Sequence, residues 1–150
     1  MGNQLSFTDL EYSNRERKTK REEFLDAMDE IVSWDEIVAE IKPFYYRNAR
    51  GRRAKSIETM LRMYLLQRWF GLSDEGIEDA IYDSYAMRRF MHLNFLEERV
   101  PDATTLYRFK KLLADNGLEE HIFGQIQDGL AAKRLAVKAG NITDAALARR

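Results

Sequence analysis

A chain of 150 residues, 45% hydrophobic and 33% charged, has the length for one compact domain and enough apolar material for a buried core. The absence of cysteine excludes a disulfide framework and thiolate metal sites, no apolar run approaches a bilayer span, and the N-terminus has no basic-then-apolar signal region. A cytoplasmic protein that makes no use of a membrane is the expectation, and its net charge of -1 conceals a segregated pattern.

Along the chain, Arg15, Arg17, Lys18, Lys20 and Arg21 stand against Glu16 alone, and the stretch from Glu22 to Glu40 is acidic. Proline is nearly absent and apolar residues recur at spacings of three and four, which predicts a mainly helical body. Thr19 with Glu22, and Ser33 with Glu36, fit the capping box, in which a hydroxyl accepts the N3 amide and the glutamate reaches back to the cap amide. They open helices over about Lys20 to Ile31 and Trp34 to Ile41, the second stopped by Pro43. Phe44 to Lys55 has no apolar period and contains Arg47, Arg50, Gly51, Arg52 and Arg53, so it reads as a basic loop.

Ser56 then caps the clearest helix, with Ile57, Met60, Leu61, Tyr64, Leu65 and Trp69 on one core stripe and Gly71 as its stop. Ser73 starts a shorter helix to about Tyr82, and Ser84 another to about His92. Asp102 is the N-cap of a helix reaching about Asp115, closed by Gly117, and a last helix runs from Leu118 to about Lys133. After it the period turns strand-like over Ile142 to Leu147. This predicts a helical domain over 1–134 and the start of a sheet-based one over 135–150.

The helix after Asp102 carries the sharpest functional signal. At 100° per residue, Leu106, Phe109, Leu112 and Leu113 share one side, while Thr104, Tyr107, Arg108 and Lys111, with Thr105 beside the cap, share the other. Each of these polar groups donates hydrogen bonds, and the helix follows two short ones. That fits the second element of a helix-turn-helix, in which an arginine reads guanine while threonine, tyrosine and lysine hold the backbone. A solvated face of a bundle helix fits the same pattern. Arg47, Arg50, Arg52, Arg53 and Lys55 around Gly51 suit phosphate contact. Pairing of those arginines with the acidic helix or a partner subunit is the alternative.

Other chemistries find no support. His92 and His121 lack metal-ligand spacing, and neither a phosphate-binding glycine loop nor a nucleophile elbow is present, so no small-molecule substrate is expected. Asp144 lies within the strand-like segment, where metal-dependent nucleic-acid enzymes often place a first carboxylate. Two-metal chemistry needs several such groups, and no acidic residue follows it.

Several segments occur together in a specific order. They are Phe7-Thr8-Asp9-Leu10-Glu11-Tyr12, Ser56-Ile57-Glu58-Thr59-Met60-Leu61-Arg62, Trp69-Phe70-Gly71-Leu72-Ser73-Asp74, Met87-Arg88-Arg89-Phe90, Val100-Pro101-Asp102-Ala103-Thr104-Thr105-Leu106 and Gly140-Asn141-Ile142-Thr143-Asp144-Ala145. In this order the chain from Gln4 on resembles the N-terminal half of bacterial insertion-sequence transposases of the family named for insertion sequence five. The resemblance implies a helical region that recognises the terminal inverted repeats of a mobile element in double-stranded DNA. It implies a ribonuclease-H-like catalytic domain to follow, with an Asp-Asp-Glu triad and two Mg2+ ions, in which Asp144 matches the first aspartate and metal ligand. The expectation is therefore a helical bundle with a helix-turn-helix-like element, ending in the first strand of an incomplete ribonuclease-H-like sheet. With the rest of the triad missing, the chain is expected to hold no cofactor and to be inactive alone. It would be a truncated element, a frameshift product or a chain cut at the domain boundary. A DNA-binding part of a transposase, forming a homo-oligomer, is the first functional expectation. A regulator that pairs with the full-length enzyme and poisons it is the second.

Overall fold

The computed structural model describes residues 17–45, 55–94, 96–138 and 141–144, those after 135 by their backbone alone. Seven helices among them run α1 (Lys20–Ile31), α2 (Trp34–Tyr45), α3 (Ile57–Phe70), α4 (Asp74–Asp83), α5 (Tyr85–Met91), α6 (Ala103–Asp115) and α7 (Leu118–Ala132). A two-stranded antiparallel hairpin follows, β1 (Leu135–Lys138) and β2 (Asn141–Asp144), with Leu135 opposite Asp144.

The helix starts follow from local chemistry. Thr19 accepts the Glu22 amide at 3.1 Å while the Glu22 carboxylate takes the Thr19 amide at 3.4 Å, so both halves of the predicted capping box form. Ser56, Ser73, Ser84 and Asp102 each accept the amide three residues on, at 3.1, 2.9, 3.2 and 2.8 Å. Ser84 both ends α4 and opens α5, which makes the turn between them a single residue. Gly71 closes α3 in the left-handed region (φ 63), where a side chain would be strained.

One expectation about the helices is corrected. Pro43 does not stop α2, which continues to Tyr45 and so takes Phe44 and Tyr45 out of the basic loop. Proline forfeits one hydrogen bond to the preceding turn, but packing of that last turn offsets it. Ile41 is fully buried, and the Tyr45 ring meets Phe109 edge-on with centroids 6.1 Å apart. On α3 the predicted stripe residues Ile57, Met60, Leu61, Tyr64 and Leu65 are buried, and burial extends past the stripe, because Met60 to Gln67 are buried without a break. A helix surrounded in this way is the axis of the bundle. Every other helix contributes residues to the one core cluster around it, including Met28, Ile37, Ile77, Met87, Leu106 and Ile126. Arg62 and Gln67 give α3 its amphipathic look in sequence, yet both lie inside.

Candidate nucleic-acid interface

The orientation of α6 is set on three sides. Leu106, Phe109 and Leu113 are buried against the core. At the start of the helix the Ala103 amide, one of the donors left without an intrahelical partner, donates to Glu78 Oε1 of α4 at 2.9 Å. Midway along, Lys110 pairs with Asp74, which also accepts from Gln67 Nε2 at 2.7 Å. Burial alone would raise the Asp74 carboxyl, but the hydrogen bonds from Lys110 and Gln67 outweigh it and hold the group below the ordinary aspartate value. The remaining face points outward. Thr104, Tyr107, Arg108 and Lys111 are exposed and Thr105 is half-buried beside the cap.

Those groups differ in freedom. Lys111 reaches Asp115 at 3.2 Å, with both side chains about 60% exposed, a surface pair of small energetic weight. Arg108 takes part in no ion pair among the described residues. Tyr107, 57% exposed, presents a large ring beside it. The connection from α5 to α6 spans residues 92–102, longer than the three- to four-residue turn of a tight helix-turn-helix. The interest of α6 therefore rests on its open face and not on that motif.

Lys55, at the far end of the basic stretch, donates from Nζ to the Arg99 carbonyl at 3.2 Å. The Tyr45 hydroxyl donates to the Lys55 carbonyl at the near end. The two ends of the basic stretch thus meet beside α6, one through the Tyr45–Phe109 contact and the other at the segment that leads into the helix. Arg47, Arg50, Arg52 and Arg53 lie outside the described residues.

Two residues join this end of the molecule that sequence reasoning missed. Arg99 is exposed and carries the carbonyl that receives Lys55. Tyr82, 47% exposed, sits one helical turn beyond Glu78, whose carboxylate holds the first amide of α6. No local signal marks Arg99, which follows two glutamates. Tyr82 was legible only as a large polar ring off the Ile77–Ile81 stripe.

Arg62, seven residues beyond Lys55, does not extend the basic stretch. It is 3% exposed, donates to Asp29 at 3.0 Å, Glu58 at 3.1 Å and the Phe90 carbonyl at 2.9 Å, and lies 4.0 Å from the Trp34 ring centroid. The histidines serve as similar ties, His92 to Asp29 at 3.1 Å and His121 to Glu40 at 2.8 Å. Near Arg62, Asp29, Glu30, Trp34, Asp35, Glu36 and Glu58 line a cleft of about 500 Å³, whose charge is wrong for a phosphate backbone. Among the described residues no group of three histidine or carboxylate side chains could hold a metal ion, and Asp144 is described by its backbone alone. No helix among those residues is long and apolar enough to cross a membrane.

The family model described as Transposase domain (DUF772) matches residues 13–112, well over half of the chain and including α1 to α5 and most of α6. No solved structure matches it. With its capped helices, central α3 and outward α6 all within or bordering the matched span, the chain belongs to the Transposase domain (DUF772) family.

Proposed function

We propose that this transposase domain is a DNA-recognition module that binds duplex ends, the terminal inverted repeats of a mobile element, through α6 and the basic stretch beside it. The observation that carries the reading is the exposed α6 face, with an unpaired Arg108 flanked by Thr104, Tyr107 and Lys111, next to the point where Lys55 meets Arg99. In this reading Arg108 discriminates bases. Thr105, Tyr107, Lys111 and Lys55, with Arg47, Arg50, Arg52 and Arg53, hold the backbone. Asp144 is then the first carboxylate of a catalytic domain that begins near residue 135.

A gel-shift series on terminal-repeat and random duplex over a range of salt tests the proposal. About six displaced counterions give a slope near -5 in log affinity against log salt. Arg52→Ala weakens both duplexes alike. Salt-independent binding, or none, overturns the reading.

A further inference from the structure

We propose that α4 restricts where a duplex can lie on this protein. The carboxylates of Glu75, Asp79 and Asp83 repel phosphates beside α6, so DNA placed wrongly on this face is rejected and the accepted duplex leans toward Lys55. This role rests on the DNA reading above and adds to it a helix that sets selectivity.

Of the ten residues of α4, five are acidic and none is basic. Two of the five are engaged within the bundle. Asp74 takes Lys110 and Gln67, and Glu78 takes the Ala103 amide. Glu75, Asp79 and Asp83 are exposed, and among the described residues none of the three has an ion pair or a side-chain hydrogen bond.

Helix stability does not account for that stripe. Spaced four residues apart, the three carboxylates share one side of α4 and repel one another. Glu75 stands in the first turn, where the helix dipole favours an anion, but Asp79 does not. Asp83 is in the last turn, where the dipole disfavours an anion and no basic residue is present. Charges kept against the preference of their own helix point to a use outside it.

The packing sets the stripe on one flank of α6. Asp74 meets Lys110 and Glu78 meets Ala103, so α4 runs antiparallel along the side of α6. Ile77 and Ile81 are buried, which leaves Glu75, Asp79 and Asp83 outward next to the open face of α6. At 100° per residue, Ala103 and Lys110 lie roughly 120° to one side of the Thr104, Arg108 and Lys111 face. Phe109, which meets Tyr45, lies roughly 130° to the other side. Carboxylates therefore border one flank of the face. The end of α2 borders the other, where the Tyr45 hydroxyl holds the Lys55 carbonyl. Packed helices stand about 8–10 Å apart, close to the Debye length of about 8 Å at physiological salt. A duplex tilted over α4 brings its phosphates within that range of the stripe, whereas one shifted toward Lys55 does not. Like-charge contact of this kind discriminates by penalising the wrong placement.

Duplex affinity over a range of salt tests this on the full chain with Glu75→Gln, Asp79→Asn and Asp83→Asn combined. At low salt, random duplex should bind about tenfold more tightly than to the wild type and terminal-repeat duplex less than about threefold. The gain should shrink as salt rises. The urea midpoint of this variant should be no lower than that of the wild type, because the repulsion within α4 has been removed. Glu23→Gln, Glu30→Gln and Asp128→Asn change the net charge equally from exposed positions on α1 and α7 and should leave the preference between duplexes as it is. An unchanged affinity for random duplex, an equal gain for both duplexes, an equal gain in the α1 and α7 variant, or a lowered midpoint would each overturn the proposal. In those cases salt-dependent binding by the wild type keeps the DNA reading in place. Absence of binding by the wild type and both variants would instead remove that reading, and the role of α4 with it.

Discussion

Arg62 and Arg108 are the same residue type on two helices of one bundle, and they do opposite things. Arg62 is enclosed by α1, α2, α3 and α5, with two carboxylates, a carbonyl and two aromatic faces accounting for its charge. Arg108 stands on the outer face of α6 with its charge uncommitted. A buried guanidinium is held for architecture because leaving its partners would strand ions in a poor solvent. An exposed one keeps water until a stronger acceptor replaces it. Charge counted along a sequence therefore says little about use until the partners are known.

Substitutions sharpen that contrast. Arg62→Ala leaves Asp29 Oδ1 and the Phe90 carbonyl without the guanidinium and is expected to cost about 3 kcal/mol, read as a lower urea midpoint at unchanged slope. An effect below about 1 kcal/mol would mean that the enclosure of Arg62 is not structural.

Acid should act on the same enclosure. Burial by itself raises the Asp29 carboxyl, but the His92 hydrogen bond and the Arg62 charge outweigh it and leave the group below its ordinary value. A carboxyl depressed in the folded state contributes stability above its unfolded value and loses it as pH falls through the folded one. Stability therefore declines below about pH 4. Asp29→Asn, less stable at neutral pH, should decline less steeply there in urea melts collected from pH 7 to 3. An unchanged acid limb would remove Asp29 from the account.

On the open side the readout moves from stability to binding. Arg108→Ala should leave the urea midpoint within about 0.5 kcal/mol of wild type. Its preference for terminal-repeat over random duplex should fall about tenfold. A drop in stability instead would make Arg108 a second Arg62. The smallest effect belongs to Lys111→Ala. Losing an exposed pair with Asp115 changes stability by less than about 0.5 kcal/mol. As a phosphate contact Lys111 would lower the salt slope by about one.

What could be read from the sequence was what depends on near neighbours. Thr19, Ser56, Ser73, Ser84 and Asp102 cap amides three residues away, so hydroxyl and carboxylate positions alone located the helix starts. The outward face of α6 follows from its own periodicity in the same way. Features set by distant partners escaped. Pro43 lies within α2 because Tyr45 packs on Phe109, far along the chain, and Arg62 is buried because Asp29 and Phe90 surround it. Lys110, adjacent to Lys111 in sequence, turns away from the open face because Asp74 lies on α4. Arg99 and Tyr82 join the α6 end only through Lys55 and Glu78.

The clasp between the Tyr45 hydroxyl and the Lys55 carbonyl has an evolutionary corollary. Because both ends of the intervening stretch are fastened to the bundle, its length is nearly decoupled from the stability of the helices. Doubling such a segment costs only about 0.6 kcal/mol in closure entropy. Cationic reach can therefore lengthen or shorten from one family member to another while α3 and its surroundings stay as they are.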